Sequence, residues 1–148
     1  MSAPNAFETA ILQHILQNAD VANIGDATGL RGSSAAGSLY LSLHTGDVGE
    51  AGSQTTNETA YSSYARVAIP RNSGGTGFGV SGNVGTNNAE IVFPACGVTG
   101  AALTHWAIGV ASSGAGMVLF KGSLPSTFNV ATGIAPRVPA GSLSLTAE

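Results

Sequence analysis

Two hydrophobic periods divide the chain. Over residues 4–18, PNAFETAILQHILQN, the apolar positions Phe7, Ile11, Leu12, Ile15 and Leu16 recur at helical spacing and form one stripe. Asn5 is placed to cap this helix, with Glu8 three residues on in the capping-box position. The stripe needs a surface to pack on, at home or on a neighbour, and His14 beside it reads as a boundary histidine. From Ser38 the period changes to two. Leu39, Leu41 and Leu43 face one way, with Tyr40, Ser42 and His44 opposite. Tyr64–Ile69 repeats the alternation. Shorter strand candidates follow at Phe78–Val80, Glu90–Phe93, His105–Ala111, Val118–Gly122, Thr127–Val130 and Ser142–Thr146. Glycine, proline, serine or asparagine separates nearly every pair, and five prolines (70, 94, 125, 136, 139) mark strand ends or edges.

The pattern predicts a mainly β protein, an antiparallel sandwich or partly closed barrel with one short N-terminal helix. Residues 1–37 are expected to form the helix and a glycine-rich arm containing Gly25, Gly29, Gly32 and Gly37, and residues 38–148 the β-sandwich domain. Trp106, in an alternating strand, is expected in the core. So is Cys96, a single cysteine in an apolar run that allows no intrachain disulfide.

Composition narrows the function. The chain has 148 residues, enough for one domain that buries roughly 70% of its unfolded surface. Charged residues are 9% and net charge is −3, while hydrophobic residues are 43%, so the chain is expected to fold. Its surface relies on Ser, Thr, Asn and Gly, which suits stable association more than electrostatic steering. The five Lys and Arg residues form no cluster, so nucleic acid is not an expected partner. No apolar run approaches the ~18 residues that span a bilayer. No basic stretch followed by an apolar one opens the chain, so a cytoplasmic origin is expected.

No chemistry converges. His14, His44 and His105 are far apart, and no paired ligand spacing accompanies the lone cysteine, so neither metal nor cofactor is expected. His44 and Asp47 stand in HTGD, which is ordinary turn chemistry after a strand. GGTGFG at 74–79 is not followed by a helix and lacks a phosphate-loop lysine. The sequence Asn57-Glu58-Thr59 has the acceptor pattern for N-glycosylation, read as chance without a secretory signal. No catalytic residues are assigned. The stretch between the first two strands, residues 45–63, is long, polar and without structure of its own, and such loops are commonly functional. It is expected to be a contact loop. Tyr61, Tyr64 and Arg66 are its candidate anchors, taken to lie on an exposed face, because Tyr and Arg are enriched at interfaces. Phe7, Ile11 and Ile15 form a second candidate interface.

The order of motifs, LYLSLHTGD, YSSYARVAI, NAEIVFPA, THWAIGVASSGAGMVLFKGSL and PAGSLSLT, resembles a group of small virion proteins of tailed bacteriophages. Members are often labelled tail-fibre-like, and some are head decoration, or cement, proteins. The resemblance runs from about residue 6 to 146, carried best by SYAR at 63–66, FP at 93–94 and THWAIG at 104–109. It implies a jelly-roll sandwich on the outside of a phage head, without enzymatic activity, binding and stabilising the shell of major capsid protein and associating with copies of itself. A tail or tail-fibre component is the alternative. A carbohydrate-binding sandwich ranks last, since the sequence shows neither an aromatic platform nor a carboxylate pair. The glycine-rich 19–37 stretch is longer than the group's pattern, which bears on where the helix packs.

Overall fold

A computed structural model describes residues 3–147. Its elements are α1 (Asn5–Gln17), β1 (Ser38–His44), β2 (Val67–Pro70), β3 (Phe78–Ser81), β4 (Val84–Asn87), β5 (Ile91–Val92), β6 (Ala101–Gly109), β7 (Val118–Val130), β8 (Arg137–Val138) and β9 (Ser144–Thr146). The strands form three sheets, ordered β2-β1-β6-β7, β3-β4-β9 and β5-β8. The pairings β1–β6, β6–β7, β3–β4 and β4–β9 are antiparallel. The protein is thus mainly β, with one short helix near its N-terminus. Two compact units interleave along the chain. The first takes the chain up to Ser38, Ile69–Glu90 and the chain from Val138; the second takes Leu39–Ala68 and Ile91–Arg137.

In the first unit, α1 packs on β3 and β4. Its core-facing line is Glu8, Leu12 and Leu16, spaced i, i+4, i+8, and the stripe read from the sequence is rotated accordingly. Gly85 of β4 makes this approach possible, because a Cβ there would overlap the Leu16 side chain. The expected capping box does not form. Pro4 holds the N-cap position with φ −69° and ψ 147°, and its carbonyl accepts from Phe7 and Glu8. The pyrrolidine ring presets that φ, so Asn5 becomes the first helical residue instead. Asn18 ends the helix in the left-handed region, φ 61°. Its side-chain amide then grips both the N–H and the carbonyl of Ser33, which fastens the 19–37 stretch. Gly29 and Gly32 close that stretch against the backbone of Val21 and Asn18, where no Cβ would fit.

In the second unit, β1 runs beside β6 and β6 beside β7. Alternation buries Leu39, Leu41 and Leu43 as expected, with Ile108 on the same face through its pairing with Leu41. Cys96 is buried. Trp106 departs from expectation: it is half-buried and lies over Gly122 of β7, where a Cβ would come within 2.6 Å of the indole. Thr127–Val130 is not a separate strand. β7 continues through Pro125 because residues 124–127 bulge opposite Thr104 alone, and an edge bulge tolerates a residue without an N–H. β4 (VGTN) and β8 lack an apolar alternation, so the sequence pattern does not predict them.

Candidate functional site

The long loop after β1 is built from its own side chains. His44 bridges to Glu58, Thr45 N–H donates to Asn57 O at 2.8 Å, and Thr59 N–H donates to Leu43 O at 2.9 Å, so the loop returns alongside the strand it left. Asp47 accepts from the Gly49 N–H to make the first tight turn. Val48, Gln54, Thr59 and Tyr61 are buried beneath it. This is a closed loop packed by its own residues.

Gln54 is its central pin. Its amide is fully buried, with Oε1 accepting from Ala111 N–H at 2.9 Å and Nε2 donating to Tyr40 O at 3.3 Å. Its backbone N–H donates to Gly116 O at 2.9 Å. The amide occupies a slot that exists because residues 109 and 116 are glycines, since a Cβ at either would overlap it.

Arg66 ties the loop to the β6–β7 connection. Its Nε and Nη2 donate to the two carboxylate oxygens of Glu58, each at 2.7 Å, while Nη1 donates to Ala111 O at 2.9 Å and Nη2 to Gly114 O at 2.8 Å. Tyr64 donates its hydroxyl to Glu58 Oε1 at 2.9 Å and accepts from Leu43 N–H at 3.1 Å. The bidentate hydrogen bond that Arg66 donates to Glu58 raises the Arg66 pKa further, and burial raises that of Tyr64. The Arg66 side chain is only 3% exposed. These groups line an open depression of about 270 Å³ together with Ala65, Ser112, Ser113 and Gly114.

On the loop-covered face of β1, Ser42 Oγ lies 2.8 Å from His44 Nε2, the spacing of a nucleophile and its base. Both residues are fully buried, and His44 Nδ1 meets the carbonyl of Thr56 at 2.9 Å rather than a carboxylate. With Nδ1 donating, Nε2 holds a lone pair toward the serine, in a place no substrate reaches. Burial pushes the His44 pKa down, so the neutral ring is favoured. His44 and Asp47 do not converge: one points inward, and the other makes a turn and meets Lys121 at 3.2 Å. Among the described residues, no three of His, Cys, Asp and Glu come together as a metal set. The Asn57 amide donates to Asp47 O, and its acceptor-pattern partner Thr59 is buried.

With this geometry in view, comparison with known families is decisive. A family model described as "Podophage GP4 fiber I protein gp80" matches residues 2–146. The chain belongs to this fibre I protein family. It is therefore a bacteriophage structural protein, and the virion-protein resemblance holds at that level, while the family description names a fibre and not a head decoration. No curated protein matches the chain.

In this fibre I family member the six residues marked as interface candidates divide. Phe7 is 46% exposed, and Ile11 and Ile15 are half-buried beside the core-facing line of α1. Tyr61, Tyr64 and Arg66 are not presented on an exposed face. Tyr61 is 2% exposed, donates to Pro94 O at 2.9 Å and packs edge-on against Tyr64, and burial pushes its pKa up to about 12. Tyr64 stacks on Phe93. The loop folds back over the sheet and recruits their polar tips inward, so they anchor it from within. Gln54 and Glu58 were missed. Glu58 carried one usable signal: a carboxylate eight residues before an arginine, in a chain with 9% charged residues.

Proposed function

We propose that this chain is a non-enzymatic structural component of the phage tail-fibre apparatus, with other fibre or tail proteins as its partners. The family match over residues 2–146 carries the reading. The side-chain chemistry agrees with it. The acid, base and hydroxyl groups of the second unit hold one loop in place: Glu58 and Arg66 neutralise each other, and the Ser42–His44 pair lies out of reach of solutes. A domain of this kind offers a rigid neutral surface to a neighbour.

Locating the protein in the virion tests the proposal. Phage particles labelled with an antibody against the purified chain, or carrying a bulky tag fused to it, should show signal on the fibres or tail. Signal confined to the head would replace this reading with head decoration, and particles with and without the protein would then differ in heat resistance.

A further inference from the structure

Ser42 and His44 lie fully buried on one face of β1, and their polar atoms form a short chain. His44 Nδ1 is 2.9 Å from Thr56 O, His44 Nε2 is 2.8 Å from Ser42 Oγ, and Ser42 Oγ is 3.1 Å from Ala107 O. A carbonyl only accepts, so Nδ1 carries a proton whatever the charge on the ring. With a neutral ring the chain has two donors, Nδ1–H and the Ser42 hydroxyl. It has three acceptors: Thr56 O, Nε2 and Ala107 O. One hydroxyl proton cannot serve Nε2 and Ala107 O together. A charged ring brings donors and acceptors level. Nδ1–H meets Thr56 O, Nε2–H meets Ser42 Oγ, and the hydroxyl is released to Ala107 O. Each of these contacts is already at hydrogen-bonding distance, so only the hydroxyl proton has to turn.

We propose that this pair is a buried proton-holding site: the folded chain takes one proton from solvent onto His44 Nε2, the Ser42 hydroxyl turns to Ala107 O, and the 45–63 loop stays closed. The groups around the ring set when this happens. Glu58, which bridges to His44 through the backbone, favours the charge, while Arg66 and His105 oppose it. His105 is the cross-strand partner on β6, and Arg66 already clasps the Glu58 carboxylate. On β7, Lys121 pairs in register with Ala107 and is drawn to Asp47 and Glu50. Burial opposes the charge most, so uptake falls below pH 6.5. The ties that close the loop, Thr45 N–H to Asn57 O, Thr59 N–H to Leu43 O and Gln54 to Ala111 N–H, use none of the exchanging atoms. A buried histidine without such a chain would strand its new N–H, and the loop above it would have to open to water. Here the serine supplies the missing acceptor from within.

Nuclear magnetic resonance of the full chain with isotopically labelled histidine, titrated from about pH 8 to about pH 5, tests the site. The His44 signals are those lost in His44→Gln. At the alkaline end Nδ1 should carry the proton and Nε2 should be bare. One step below pH 6.5 should then protonate Nε2 while the chain remains folded. Amide exchange at Thr45 and Thr59, corrected for the intrinsic effect of pH, should stay equally slow on both sides of that step. Ser42→Ala removes the acceptor for Nε2–H and should lower the proton affinity of His44 about tenfold, moving the step to lower pH by about one unit, because a hydrogen bond to the charged ring is worth more than one to the neutral ring. The wild-type titration needs no variant and decides by itself if Ser42→Ala does not fold. A proton on Nε2 rather than Nδ1 at the alkaline end, unfolding before His44 titrates, faster exchange at Thr45 and Thr59 as the step is crossed, or an unmoved step in folded Ser42→Ala would each overturn the proposal.

Discussion

Arg66 and Arg71 are five residues apart and serve different units by different electrostatics. Arg66 faces a full charge, clasping both oxygens of Glu58 and adding two carbonyls. Among the described residues, Arg71 pairs with no carboxylate. It donates to His14 O at 2.7 Å, Ile15 O at 2.6 Å, Ala36 O at 3.2 Å and Ser33 Oγ at 3.4 Å. Two of those carbonyls belong to the last turn of α1, where the helix dipole leaves partial negative charge. A guanidinium can therefore be held by one ion or by several dipoles. The first arrangement punishes removal of one partner, because the other is left charged and desolvated; the second leaves only neutral groups behind. Two of the chain's five Lys and Arg residues are used in this way, which is one reason its surface carries so little charge.

Arg66→Met should have the largest effect, destabilising by roughly 3–5 kcal/mol in thermal or urea unfolding, as expected for breaking a mostly buried ion pair from one side. Adding Glu58→Gln to it should recover part of that loss, and a double variant no better than the single one would mean that Glu58 is not stranded. Arg71→Met should cost less, about 1–3 kcal/mol, the scale of charge-assisted hydrogen bonds to neutral acceptors. Hydrogen exchange should separate the two variants, with faster exchange at 45–66 and 111–116 for Arg66→Met, and at the end of α1 and 33–37 for Arg71→Met. If both changes spread over the whole chain, the units open together and the local contrast is lost.

The Arg66 unit should also respond to acid through His44. Burial is the main cause that lowers the His44 pKa below the usual 6.5; Arg66 and His105 push the same way, while the hydrogen bond to the Thr56 carbonyl and the Glu58 carboxylate oppose it. The unfolded chain then takes up a proton that the folded chain refuses. Stability contributed by the neutral ring is fully present above about pH 6.5 and falls as pH drops toward the lowered value, by up to about 1.4 kcal/mol per pH unit. Unfolding measured from pH 7.5 to 5 should show this decline, and His44→Gln should flatten it. The smallest effect should come from Lys121→Ala. Its contacts with Asp47 and Glu50 lie in solvent, so the melting temperature should not move measurably.

These contrasts also mark where sequence reading succeeds. Leu39, Leu41 and Leu43 announce β1 because their burial follows from a two-residue period that local sequence carries intact. β4 is invisible for the opposite reason: Val-Gly-Thr-Asn is a strand because β3, β9 and Leu16 of α1 close around it, and Gly85 is chosen for space rather than for propensity. The helix was legible and its facing was not, since Phe7, Ile11 and Ile15 share enough hydrophobicity with Leu12 and Leu16 to hide a rotation. At the loop, Tyr64 and Arg66 were found for their residue types, but their inward direction depends on Glu58 and on carbonyls about 45 residues away. No periodicity encodes a contact of that range. Gln54 left no trace at all, because a neutral amide becomes a pin only once Gly109 and Gly116 have made its slot.

The sole tryptophan lies across β7 at Gly122, so the protein carries a built-in optical probe at one known spot. Selective excitation of that indole reports on a single half-covered environment, uncomplicated by a second emitter. Added quencher should reach it partially in the free chain, and any partner laid along that strand should shield it and shift its emission toward the blue. Wavelength and quenching can thus be followed during purification, on intact particles and through unfolding, without attaching a dye to the molecule.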